Sequence, residues 1–68
     1  MKATELRNYN RALQAASDYF DGDMEAAELW MQQPAHTLGG HKPIDMLSNE
    51  KEFHAVLSAI NQLEDGRM

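Results

Sequence analysis

Apolar residues recur at spacings of three and four along most of this chain, and no stretch alternates apolar and polar residues long enough to form a strand. That periodicity restricts the fold class to all-α. Leu6, Tyr9, Leu13, Ala16 and Phe20 fall on one stripe of a first helix, which begins at Thr4, a residue type that caps free amides, and ends near Phe20. Gly22 supplies a left-handed stop, and Asp23 caps a second helix whose inner face is Met24, Ala27, Trp30 and Met31. Pro34 ends that helix, because its ring clashes with the preceding turn and it lacks an amide donor.

The segment from Ala35 to Lys42 reads as a structured turn. Its Leu38 precedes Gly39 and Gly40, a pair that permits positive φ and close backbone approach where a Cβ would clash. Pro43 suits the first position of a short helix, with Ile44 and Leu47 facing inward. Ser48 or Asn49 then caps a last helix, with Glu52 in the place of a capping-box acid. Phe53, Val56, Leu57, Ile60 and Leu63 form its apolar stripe, the clearest in the chain, and Gly66 marks its stop. The expectation is one domain over residues 1–68: a small bundle of three longer helices and one short helix, folded around Trp30. Pro34, Pro43, Leu47, Phe53, Val56, Ile60 and Leu63 complete the expected structural core. No linker or internal repeat interrupts the pattern.

With 68 residues and no cysteine, the chain has neither disulfides nor thiolate metal sites, so packing alone must hold it. A core of this size rarely supplies more than about 3–5 kcal/mol, which gives a partner or self-association surface a stabilising role. A net charge of -5 opposes the phosphate backbone and disfavours nucleic-acid binding by this chain alone. No apolar run approaches the roughly 18 residues of a membrane span, and the N-terminus MKATELRNYN has no secretory core. A cytoplasmic location without membrane contact is therefore expected.

Catalytic and metal chemistry find little support. His36, His41 and His54 do not converge by spacing, and no further ligand type completes a metal set. Ser17, Ser48 and Ser58 lie on or beside helices without a recognisable base or elbow, and no Gly-rich phosphate cradle is present. The chain is read as a non-enzyme with no cofactor. Asp18, Asp21, Asp23, Glu25 and Glu28 crowd a helix N-terminus, where the macrodipole favours negative charge. The same acids can steer the chain onto a basic cleft.

Trp30, Pro34, Leu38, Gly39, Gly40, Pro43 and Leu47 stand in the order W-x3-P-x3-L-G-G-x2-P-x3-L, followed by Val56, Ile60, Leu63 and Gly66. Phe20, Asp21 and Gly22, with Ala26, precede the tryptophan. From about Leu13 to Gly66 this string resembles the toxin-binding C-terminal domain of the MbcA/ParS/Xre antitoxin family. The resemblance implies an antitoxin module that binds a RES-domain toxin, an NAD-consuming enzyme, and inhibits it by covering its active site. Catalysis then belongs to the partner. It also implies contacts from Leu38, Gly39 and Gly40 and from the C-terminal end, Glu64, Asp65, Gly66, Arg67 and Met68. Arg67 can fork onto a carboxylate and Met68 offers an adaptable apolar tip. The chain departs from the family in having Ala35 where Asn often follows the proline, and Arg67 where a hydrophobic residue often follows the last glycine. Only about a dozen residues precede the matched part, so the family's N-terminal helix-turn-helix domain is expected to be absent.

Two alternatives follow from the residues themselves. Leu6, Tyr9 and Leu13 can form the seam of a homo-oligomer, with acids of a second copy answering Arg7 and Arg11. The stretch from Pro34 to Leu47 can instead be the helix-turn-helix remnant of a transcriptional regulator.

Overall fold

Three α-helices carry the fold in the computed structural model, which describes residues 2–65: α1 (Ala3–Tyr19), α2 (Met24–Gln32) and α3 (Glu50–Asp65). Two single 3-10 turns, His36–Leu38 and Pro43–Asp45, join α2 to α3, and no strand occurs among the described residues. The all-α expectation holds. The short helix expected at Pro43 is one 3-10 turn, with the proline at its start.

Local chemistry accounts for most boundaries. α1 starts one residue before Thr4, with Lys2 at the cap position and no side-chain cap, so Thr4 lies inside the first turn. At its other end the Gly22 amide donates to the Ser17 carbonyl at 2.7 Å and the Asp21 amide to Asp18 at 3.4 Å. Those two bonds make a Schellman-type stop. Asp21 (φ 59) enters the left-handed region one residue ahead of the expected Gly22. Aspartate tolerates this conformation better than most side chains. The Asp23 side chain accepts from the Ala26 amide at 3.1 Å and starts α2. Pro34 acts through the backbone: it holds Gln33 extended, at φ -108 and ψ 146, and so closes the helix.

At α3, Asn49 is the capping residue rather than Ser48. Its Oδ1 accepts from the Glu52 amide at 2.9 Å, while its Nδ2 donates to the Glu52 carboxylate at 3.1 Å. Ser48 supports the same carboxylate at 3.2 Å. This is a capping box closed through side chains.

The core gathers where α1 packs on both α2 and α3. Ala12, Ala16, Ala27 and Ala59 are buried at these contacts, and such small residues let helices approach closely. Phe53, Met31, Leu47, Ile60 and Val56 fill the space between them. The Arg11 guanidinium lies 4.9 Å from the centroid of the Phe53 ring and covers it from solvent. Pro43 is buried as well.

Several core expectations need correction. Trp30 is only half-buried, because the inward line of α2 runs through Ala27 and Met31 and leaves the indole at the core's edge. The bundle is folded around Phe53 and Met31 instead. Pro34 is exposed, Leu63 is half-buried, and Leu6 and Met24 project outward. Spacing locates a stripe, but the width of the stripe that is covered depends on the neighbouring helix.

Candidate functional site

The resemblance points to two places, the Leu38-Gly39-Gly40 turn and the C-terminal end of α3. The turn is closed at its neck by Ala35, whose amide donates to the His41 carbonyl at 3.0 Å and whose carbonyl accepts from the Gly40 amide at 3.0 Å. Leu38 is buried and anchors the turn in the core, so its side chain holds the loop and presents no free surface. Gly39 and Gly40 are exposed, with φ of 67 and 86. A Cβ on Gly39 would meet only the His41 ring at 3.8 Å, and one on Gly40 would meet nothing. The glycines are therefore required by backbone conformation and not by crowding within the chain. They leave a bare stretch of main chain facing outward.

The first 3-10 turn packs against α3, which joins this loop to the helix leading to the C-terminus. At the end of that helix Glu64 and Asp65 are exposed, and no basic residue occupies the last turn. Carboxylates at a helix C-terminus oppose the macrodipole, at a cost of about 0.3–1 kcal/mol each. A cation brought by another molecule would relieve that repulsion. Gly66, Arg67 and Met68 lie outside the described residues.

Periodicity missed two residues that position these surfaces. Asn8, fully buried on α1, donates from Nδ2 to the Leu47 carbonyl at 2.9 Å and so ties α1 to the chain just before α3. Its Oδ1 is buried without a hydrogen-bond partner. The available signal was that Asn8 precedes Ala12 and Ala16 at steps of four, on the buried face. Ala35 is the other, its role set by hydrogen bonds that composition does not reveal.

The stretch from Pro34 to Leu47 holds two three-residue 3-10 turns, too short for the recognition helix of a helix-turn-helix. Among the described residues no group of three or more His, Asp or Glu side chains is arranged for a metal ion. His54 pairs with Glu50 at 3.5 Å on the exposed face of α3. No described helix is long and apolar enough to cross a membrane.

Compared with known proteins, residues 15–66 match the family described as the antitoxin Xre/MbcA/ParS C-terminal toxin-binding domain. The chain is 31% identical over 65 residues to Antitoxin Xre of Photorhabdus laumondii subsp. laumondii, covering 96% of this chain and 44% of that protein. It is 32% identical over 65 residues to Antitoxin Xre of Yersinia enterocolitica serotype O:8, with the same coverage. The chain thus spans less than half the length of these curated relatives. No solved structure matches it significantly. The packed unit reaches further than the family match, since Asn8, Ala12 and Leu13 of α1 belong to the core.

Proposed function

This chain belongs to the family of antitoxin Xre/MbcA/ParS C-terminal toxin-binding domains, and from that membership we propose that it neutralises a RES-domain, NAD-consuming toxin by steric occlusion of its active site. The observation that carries the proposal is the family match over residues 15–66. In this reading the end of α3 and the tail beyond it, Glu64, Asp65, Gly66, Arg67 and Met68, enter the mouth of the toxin's dinucleotide pocket. The exposed backbone of Gly39 and Gly40 widens the contact. The chain performs no chemistry, needs no cofactor and acts in the cytoplasm with its toxin.

Two features support this division of labour. The carboxylates of Glu64 and Asp65, in a last turn that holds no basic residue, suit a cationic rim, as a pocket that binds nucleotide phosphates presents. The outward carbonyls of Gly39 and Gly40 offer acceptors to an approaching strand or loop, while their amides close the turn on His36 and Ala35.

The test is to co-express the chain with the product of the adjacent gene, purify the complex and follow NAD consumption. Deleting Arg67 and Met68 is expected to reduce inhibition more than binding. Equal inhibition by the shortened chain would refute the plugging role of the tail, and purification without an NAD-consuming partner would refute the toxin class.

A further inference from the structure

Among the described residues three large apolar side chains stand out from the surface: Leu6 (51% exposed), Met24 (45%) and Leu29 (59%). Leu29 shares the outer strip of α2 with Glu25, Glu28 and Gln32, and these four line an open depression of about 390 Å³. The opposite face of α2, through Ala27 and Met31, is the one committed to the core. Among the described residues the outer strip is therefore exposed, and neither Glu25 nor Glu28 makes an ion pair.

Charge is divided along the chain in the same way. Residues 12–41 contain Asp18, Asp21, Asp23, Glu25 and Glu28 but no Lys or Arg, so the whole net charge of -5 resides there. The remainder has six acids and six bases. Half of those bases, Lys2, Arg7 and Arg11, lie in the first eleven residues, where Glu5 is the one acid. Arg11 is engaged with Phe53, which leaves exposed Lys2 and Arg7 flanking exposed Leu6. A basic end and an acidic face, each with one apolar knob, thus occupy different helices of one molecule.

We propose that the outer face of α2 docks the N-terminal end of α1 from a second copy of this chain. Leu6 seats against Leu29, and Lys2 and Arg7 face Glu25 and Glu28. The contact joins unlike surfaces, so a docked pair keeps one free face of each kind. Assembly then proceeds head to tail or closes on itself, the smallest closure being a reciprocal dimer in which α1 of each copy docks on α2 of the other. Two apolar side chains and two ion pairs make a small contact, in the weak class below about 1,200 Å², and opposed exposed charges make it sensitive to salt. The inference does not rest on toxin binding.

Sedimentation equilibrium of the full chain, from about 10 µM to 1 mM, tests it at low and high salt. At low salt the weight-average mass is expected to climb above 7.7 kDa with concentration, and at high salt to fall back toward the monomer. The double variants Glu25→Lys with Glu28→Lys, and Lys2→Glu with Arg7→Glu, are each expected to remain monomeric, with circular dichroism matching the parent. Their equimolar mixture is expected to associate again, because each supplies the face the other has inverted. A parent chain monomeric at 1 mM in low salt overturns the proposal, as does a mixture that fails to associate. A chain monomeric throughout, whose α2 variant alone loses a co-expressed toxin, assigns this face to the toxin and also overturns it.

Discussion

Replacing Asn8 removes a buried side-chain bond that ties α1 to the segment before α3. Asn8 is 0% exposed and Leu47 is 1% exposed, so the 2.9 Å bond between them is shielded from water. In Asn8→Ala the Leu47 carbonyl is left unpaired in the interior, at a cost of about 1–3 kcal/mol. The vacated space adds roughly 1 kcal/mol, and the disappearance of the unpartnered Oδ1 returns part of this. A net loss of about 2 kcal/mol is expected, close to half of what a core this small supplies. For a domain of this size the midpoint of thermal unfolding should fall by roughly 8–16 °C.

Asn8→Asp separates hydrogen bonding from packing at nearly constant shape. The ionised carboxylate cannot donate to Leu47, so burial and the facing carbonyl raise its pKa in the folded state above its unfolded value of about 3.9. A raised folded pKa means that the folded state holds the proton more tightly. Stability is therefore greatest below about pH 3.9 and is lost as pH rises through the folded pKa, by up to about 1.4 kcal/mol per pH unit. Urea titrations followed by circular dichroism at several pH values, set against the parent, measure both effects. An Asn8→Ala protein within about 0.5 kcal/mol of the parent, or an Asn8→Asp protein with the parent's pH dependence, would refute the reasoning.

Asn49→Ala removes the α3 cap and the bond that positions Glu52, and should cost about 1 kcal/mol, read as faster amide exchange in the first turn. Unchanged exchange at Glu52 would show that the cap contributes nothing. At Gly39, with φ at 67 and an open surrounding, Ala should cost about 1–2 kcal/mol through backbone strain alone, while Asn should cost less. Equal losses for Gly39→Ala and Gly39→Asn would point to a contact rather than to conformation.

The capping residues of α2 and α3, the proline at the start of the second 3-10 turn and the positive φ values at Gly39 and Gly40 were all readable in advance. Each depends on atoms a few residues apart. The fates of Trp30, Pro34 and Leu38 were not. A half-buried indole, an exposed proline and a buried leucine in the turn follow from which surfaces the other helices cover. In the candidate site, the composition of the α3 end was legible, while the neck closed by Ala35 emerged only from the folded loop.

By itself the sequence determined the class of fold, the end of α1, the cap and the end of α2 and the family, because periodicity, caps and motif spacing are properties of neighbouring residues. The tertiary structure alone decided that Phe53 and Met31 fill the centre, that Asn8 reaches across 39 positions to Leu47, and that the outer face of α2 is left bare. Burial depends on distance in space, and the placement of α1 against α2 and α3 is what turns one face of each stripe inward.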